Sequence, residues 1–504
     1  MRRKTKSLCP ICLKVIKATI YDENNKVYIT KTCPEHGEYT DLYWGDYELY
    51  QQAEKYAING VILQNPRTKQ EKGCPYDCGI CTNHKSTTAL GIIDVTNRCN
   101  LRCPICFAHA GAAGYLYEPT IEQIRSMIQN LLDNNPVQVP ALQFSGGEPT
   151  VREDLPALIE MAKEMGIVHV EVDSNGIKMA ESVEYCKTLK KAGADTVYLQ
   201  FDGLTPEPYL KARGFNLLPI KLRAIENLKK AGFHSIVLVP VLIRGVNDNQ
   251  IGDIVRFAIE NKDCIRAVNF QPVSITGRIS REERDDMRIT IPDLILDLEE
   301  QTQGLVKKSD WYPIPSVQPI TEFIGHMRDK NFVDFCCHPH CGMATYLFID
   351  GDKVSPITEY LNVDETLAAF TKANDEIKSG HNIHGKLEVA NGVISNVKFK
   401  LLVKYLIDVV KHGDYKSLDR IHHQMIMIGS MHFMDPYNFD LDRVQRCIIN
   451  YATPDGRIIP FCTMNTLHRS GVEKKYAKPL SADKLTPLID VEALTKKILE
   501  QRVD

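Results

Sequence analysis

Cys99, Cys103 and Cys106 stand in the run Cys99-Asn100-Leu101-Arg102-Cys103-Pro104-Ile105-Cys106, spaced x3 then x2. Three thiolates at this spacing can hold a [4Fe–4S] cluster and leave one iron open. A cluster held by four cysteines passes electrons; one held by three can also bind a substrate or cofactor. Zinc is the competing use of such thiols, but it prefers paired C-x2-C knuckles with a fourth ligand nearby. The triplet follows Gly91-Ile92-Ile93-Asp94-Val95, an apolar run that reads as a buried strand. One strand–helix unit later, Ser145-Gly146-Gly147-Glu148-Pro149 follows a second apolar run containing Leu142 and Phe144.

The chain has 16 Cys, and most fall in tight clusters. Cys9-Pro10-Ile11-Cys12 and Cys33-Pro34-Glu35-His36 make a C-x2-C and C-x2-H knuckle pair, suited to one tetrahedral metal. Zinc and a rubredoxin-like iron both fit, and spacing does not choose between them. Such a site can be purely structural, stapling a module too small to fold alone. Cys74, Cys78 and Cys81 repeat the x3-x2 spacing. Cys336, Cys337, Cys341, Cys447 and Cys462 lie at the flanks of two expected hairpins, turned at Asp350-Gly351-Asp352 and Pro454-Asp455-Gly456. Cys186 and Cys264 read as packed thiols. Setting these two aside, together with Cys99, Cys103 and Cys106 and the N-terminal knuckles, leaves eight cysteines, enough for two four-cysteine clusters, with Cys336 and Cys337 each completing one. A free thiol or a ligand from His338 or His340 breaks that arithmetic.

The elements that must position these residues alternate regularly. Strands are expected at 90–95, 139–145, 167–173, 196–202, 234–242 and 266–272. Amphipathic stretches such as Ile121 to Leu132 and Leu155 to Met165 lie between them. Alternating β and α predicts a parallel sheet wrapped by helices. Active sites on such folds sit at the C-terminal ends of strands. Asp173-Ser174-Asn175-Gly176 and Gln200-Phe201-Asp202-Gly203 stand at two such ends. The expected organisation is a metal module at 1–48, an auxiliary-cluster segment at 49–88, a barrel at 89–290 and a C-terminal region at 291–504.

With 504 residues and 43% hydrophobic composition, the chain can bury a sizeable core. Net charge of −3 argues against a general nucleic-acid binder. No signal peptide is read at the N-terminus, and no apolar run approaches the ~18 residues of a membrane span. Clustered thiols in a large chain imply metal and a reducing cytoplasm.

The triplet and the Gly-Gly-Glu-Pro loop together resemble the radical S-adenosylmethionine (radical SAM) superfamily. The resemblance implies an α/β fold built on a partial (β/α)6 TIM-type barrel. It implies that the open iron at Cys99, Cys103 and Cys106 chelates SAM, and that the Gly146-Gly147-Glu148 loop holds the methionine amine. It places Asn175, Gln200 and Asp202 on loops that contact SAM, although Asn and Asp also favour such turns by themselves. Val239 to Leu242, with Arg244 and Asn247, resembles the strand that lies along adenine. One-electron cleavage of SAM to a 5′-deoxyadenosyl radical follows from the same resemblance.

The whole pattern, including Phe335-Cys336-Cys337-His338-Pro339-His340-Cys341 and Arg446-Cys447 through Phe461-Cys462, resembles the archaeal tetraether lipid synthases. That likeness implies three [4Fe–4S] clusters and a rubredoxin-like mononuclear iron. It implies carbon–carbon coupling of the terminal methyl groups of isoprenoid ether lipids. A C-terminal α+β auxiliary-cluster domain, a reductant such as ferredoxin or flavodoxin, and a cytoplasmic protein in transient contact with a membrane surface are implied with it. Members of that group are also assigned as methyltransferases of a pterin precursor of methanopterin, which is the second reading. Two segments bear on a lipid substrate. The Met-rich run Gln424 to Met434 reads as a buried helix or as an adaptable surface for an alkyl chain. Leu401 to Lys411 reads as an amphipathic helix that packs on a core or lies at a membrane.

Overall fold

The computed structural model describes residues 1–277, 279, 282–329, 331–351, 353–381, 385, 389, 392, 425–479 and 486–500. The expected helix at 401–411, Gln424 and Asp352 lie outside them.

Four antiparallel strands begin the chain: β1 (Arg2–Leu8), β2 (Val15–Glu23), β3 (Lys26–Cys33) and β4 (Gly37–Trp44), paired in sequence order. Alternation builds them. Val27, Ile29, Lys31 and Cys33 face inward along β3 while their neighbours face out.

A second sheet of 13 strands carries the rest of the fold. Its centre is the expected parallel series: β5 (Leu90–Thr96), β6 (Ala141–Gly146), β7 (His169–Ser174), β8 (Thr196–Gln200), β9 (Ile236–Val239) with β10 (Val241–Leu242), and β11 (Ile265–Pro272). Their apolar residues, such as Val170 and Val172 on β7, are buried, while Glu171 and Asp173 on the alternate face of that strand are half-buried. Helices cross between them. That at Ile121–Leu132 starts at a Thr120/Gln123 capping box and buries Ile124, Met127, Ile128, Leu131 and Leu132 on one face.

Both edges of this half-barrel are extended by late residues. After β12 (Tyr312–Pro313), β13 (Gly342–Asp350) and β14 (Lys353–Pro356) form the first expected hairpin, and β15 (Met425–Met431) pairs between β13 and β11. At the opposite edge β16 (Ile449–Ala452) runs parallel to β5 and turns back through β17 (Ile458–Pro460), the second expected hairpin. Met425–Met431 of the Met-rich run is therefore a strand, paired on both sides, and not a helix. Met425, Ile426 and Ile428 are buried.

The N-terminal sheet docks on the chain between β15 and β16. Asp440 accepts from Arg3, Thr5 and Tyr43. Buried Lys31 donates to the carbonyls of Pro436 and Tyr437 at 2.6 and 2.8 Å. Arg288 bridges Asp41 and Asp435 at 3.0 and 2.8 Å.

Candidate active site

Cys99, Cys103 and Cys106 leave β5 on a loop that forms one wall of a cavity at the C-terminal end of the parallel strands. The three thiols are close enough for Cys99 to feel the charge of the other two, and burial pushes Cys99 and Cys103 upward as thiols. Thiols so placed keep their protons in the absence of metal and release them when a metal binds the sulfur.

The neighbouring loop after β6 is pressed against this one by its backbone. Gly147 N–H donates to Thr96 O at 2.8 Å and Glu148 N–H to Arg98 O at 2.9 Å. A Cβ on Gly146 would lie 2.2 Å from Thr96 O, and one on Gly147 2.2 Å from Arg98 O. Gly146 also has φ +133°, where side chains are rarely accommodated. The two glycines thus let two site loops share hydrogen bonds. The Glu148 side chain is buried and turned into the protein. It accepts from Thr150 N at 3.1 Å, Thr150 Oγ1, Ser174 Oγ at 2.8 Å and Asn175 N at 2.7 Å. The Glu148 carboxylate is thus engaged by neighbouring protein groups.

Asn175 and Gln200 line the cavity. Asn175 Nδ2 donates to Asn100 Oδ1 at 2.8 Å, linking the end of β7 to the cysteine loop. Gln200 Oε1 accepts from Lys221 Nζ at 2.6 Å. Lys221 also reaches Asn175 O, and burial holds its pKa down to about 7. Asp202, expected to touch SAM, is fully buried and lies behind the wall. Its carboxylate is taken up by Arg213, Gln200 and Val241 N. Arg213 Nη1 in turn donates to Ile105 O at 3.1 Å, inside the cysteine loop. Every described contact of the Asp202 carboxylate is thus a hydrogen bond within a low-dielectric site. Val239 and Val241 line the cavity. Asn247 instead closes a turn onto Asp202 O and Val241 O, and Arg244 pairs outward with Asp293.

Two further faces complete the cavity. One is aromatic: Phe461 stacks on Phe433 at 3.8 Å and lies 5.4 Å from Tyr451 and 5.7 Å from Phe107. The other is polar, with Gln143, Ser145, Asp173, Tyr198 and Gln271 on the strands themselves. Burial pushes the Asp173 carboxyl up to about 7, against a 2.8 Å hydrogen bond from Ser145. Arg213, Lys221 and Tyr198 have no motif around them, and sequence reading passed over them.

The remaining cysteines fall into three places. Cys9, Cys12, Cys33 and His36 bring their ligand atoms within 4.8 Å of one another. Cys12 and Cys33 sulfurs are 4.0 Å apart, and His36 Nδ1 lies 3.5 Å from Cys33 and 3.7 Å from Cys9. Tetrahedral Zn–S bonds of about 2.3 Å give edges of roughly 3.8 Å, so the set fits one ion. Cys74, Cys78 and Cys81 sit together beside Thr463. Cys337, Cys341, Cys447 and Cys462 converge, with Arg443 Nε 3.4 Å from Cys341 Sγ. Cys336 sits beside Asp334, whose carboxylate accepts from its backbone N–H at 2.9 Å. His340 packs face to face on Tyr50 at 4.0 Å and bonds Tyr50 O, which occupies one of its nitrogens. Its other nitrogen faces Glu54, near His338.

The half-barrel and the three-cysteine loop at its C-terminal mouth define a radical SAM protein, and residues 93–258 match the Radical SAM superfamily. Residues 1–45 match the HMPTM N-terminal zinc ribbon domain. The chain belongs to the family of the 7,8-dihydro-6-hydroxymethylpterin dimethyltransferase of Methanocaldococcus jannaschii, with which it is 52% identical over 95% of its length and 96% of that protein. A GTP 3′,8-cyclase of Peptoclostridium acidaminophilum is 27% identical over 45% of this chain and 72% of its own. The crystal structure of Streptococcus suis SuiB superimposes with a TM-score of 0.36 at 20% identity, covering 44% of this chain and 48% of that one. That likeness is too partial to add to the fold.

The near end-to-end identity overturns the lipid reading. The expected resemblance to tetraether lipid synthases, carbon–carbon coupling of lipid chains, the isoprenoid ether lipid as partner and the membrane-surface contact are all replaced by a pterin-methylating relative. Among the described residues no helix is long and apolar enough to cross a membrane.

Proposed function

We propose that the chain is a radical SAM dimethyltransferase acting on 7,8-dihydro-6-hydroxymethylpterin. The carrying observation is the 52% identity that spans the barrel, the ribbon and the C-terminal cysteines together. The shape of the cavity supports it. Its lining combines an aromatic cluster around Phe461 with a polar row on the strands, which suits a flat heterocycle with hydrogen-bonding edges.

Cys99, Cys103 and Cys106 would hold the [4Fe–4S] cluster that binds SAM. The buried thiols and the glycine-permitted approach of the Gly146-Gly147-Glu148 loop fit that group. When bound, the cluster and SAM supply one-electron reduction and a hydrogen-abstracting radical. The protein's own task is placement. Arg213 and Asp202 fix the loop between Cys103 and Cys106, and Asn175 fixes its start through Asn100. Lys221 ties the ends of β7 and β8 to each other. Phe433, Tyr451 and Phe461 keep water from one side.

Cys337, Cys341, Cys447 and Cys462 would hold a second [4Fe–4S] cluster, and Cys74, Cys78 and Cys81 a third with one ligand from elsewhere. Cys9, Cys12, Cys33 and His36 would hold zinc, which the ribbon fold and the histidine both favour over iron.

The test is anaerobic incubation of the iron-loaded protein with SAM, a reductant and the dihydropterin, read by mass spectrometry. With SAM as both radical source and methyl donor, a product heavier by two CH2 increments is expected, with 5′-deoxyadenosine and S-adenosylhomocysteine formed alongside. Unchanged pterin from protein that cleaves SAM would rule the substrate out.

A further inference from the structure

Asp173 and Tyr198 are register partners on adjacent parallel strands, β7 and β8, and both line the cavity. Register partners put their side chains on the same face of a sheet, so the carboxylate and the phenol stand side by side. Ser145, on the next strand over, donates to Asp173 Oδ2 at 2.8 Å and fixes the carboxylate. The other carboxylate oxygen has no hydrogen bond from the described residues. Tyr198 is fixed from the opposite side: its hydroxyl accepts from Asn269 Nδ2 and from Gln271 Nε2 at 3.2 Å. A phenol that accepts twice still has its own proton to give. The row therefore offers, in order, a carboxylate that accepts and a hydroxyl that donates, both held rigidly by neighbours on other strands.

A 2-amino-4-oxo pyrimidine ring presents the complementary row: an exocyclic amine, a ring N–H, then a carbonyl oxygen. We infer that Asp173 and Tyr198 form the edge that reads the pterin, the carboxylate taking the amine and the ring N3–H and the phenol donating to the 4-carbonyl. This rests on the pterin reading given above. The aromatic cluster of Phe433, Tyr451 and Phe461 would then cover the ring's face. Burial already favours a proton on Asp173, and two N–H donors brought by the substrate replace that proton as the carboxylate's partner. A site built on such hydrogen bonds discriminates strongly against ligands that lack them, because its own buried groups are then left unpaired.

The experiment is equilibrium binding to the iron-loaded protein under anaerobic conditions. Two ligands are compared: 7,8-dihydro-6-hydroxymethylpterin and its 2-oxo analogue, in which a carbonyl replaces the amine. Wild type should prefer the amino compound by about tenfold or more. Asp173→Asn should lose about tenfold or more in affinity for the pterin, because its amide sets an N–H against an N–H. Its preference between the two ligands should collapse. Tyr198→Phe should weaken both ligands equally, since both keep the 4-carbonyl. An Asp173→Asn protein that binds the pterin as wild type does, or that loses both ligands equally, overturns the inference. If Asp173→Asn does not fold, judged by iron content and circular dichroism, Tyr198→Phe decides: unchanged pterin affinity there overturns it. Wild type that binds neither ligand would sink the pterin reading itself, whereas wild type that binds and methylates the pterin without caring about the 2-amino group sinks only this inference.

Discussion

Arg213 grips Asp202 in a two-pronged pair, Nε to Oδ2 at 2.7 Å and Nη2 to Oδ1 at 2.8 Å, and its free prong holds the carbonyl of Ile105 between two cluster cysteines. The pair is buried. Asp202 raises the Arg213 pKa although burial alone would lower it, so the guanidinium stays charged.

Removing one member of such a pair leaves a charge buried alone, at a cost of roughly 3–5 kcal/mol. Arg213→Ala should therefore lose iron from the SAM cluster and form no 5′-deoxyadenosine. Arg213→Lys keeps the charge without the fork and should retain part of both. Iron analysis and deoxyadenosine assay check this; wild-type values in Arg213→Ala would remove the positioning role.

The glycine loop makes a separate test. Gly147→Ala should lower stability by about 2 kcal/mol or more, since its Cβ would meet the Arg98 carbonyl at 2.2 Å and backbone must move. Gly471→Ala is the contrast. It lies in the helix Arg469–Lys475 with open space around it, and should gain roughly 0.5–1 kcal/mol. Denaturant midpoints of the two variants should move in opposite directions.

A pH dependence follows from Asp173. Burial, with the charges of Glu148, Asp94 and Glu171 around it, pushes its pKa up to about 7, whereas an unfolded aspartate titrates near about 4. The folded state thus holds the proton more tightly. Stability is lost as pH rises from about 4 through about 7, then levels off. Asp173→Asn lacks this loss, so its stability advantage over wild type should grow between about pH 5.5 and about pH 8. Urea midpoints at the two pH values measure it, and a constant difference would contradict the assignment.

The ribbon should be coupled to the chain between β15 and β16. Cys12→Ala should release one metal ion per chain. It should also speed hydrogen exchange across residues 432–447, because Arg3, Thr5, Lys31 and Tyr43 anchor that segment. Metal loss with unchanged exchange there would show the ribbon to be an independent unit.

Much of this was legible in the sequence. The six central strands fall within a few residues of expectation. The Met-rich run Met425–Met431 was not, because a strand buried on both faces has no alternation to separate it from a buried helix. Gly146 and Gly147 were visible as a motif, but their reason, close approach to Thr96 and Arg98, needs a second loop. Asp202 stood at the right strand end for a ligand contact. Only Arg213, which looks like an ordinary basic residue at a helix end, shows that it is already engaged. The substrate was misread for a related reason. Cysteine patterns record the cofactors, and two activities can share them. Ser145, Asp173 and Tyr198 are contributed one per strand, so no contiguous motif announces them.

The strand carrying the cysteine loop has a late partner. β5 pairs with β6 on one side, but on the other with β16, whose Ile449, Asn450 and Tyr451 stand opposite Leu90, Gly91 and Ile92. During synthesis that flank emerges long before the residues that cover it. Until then it is an open edge of unpaired backbone groups beside reactive thiols, the kind of surface on which nascent chains join one another. Closing it brings together segments far apart in the chain, a slow step in folding. The same closure delivers Cys447 and Cys462, which flank the β16–β17 hairpin. The pairing that covers the barrel's first strand is thus the same one that sets Cys447 and Cys462 beside Cys341.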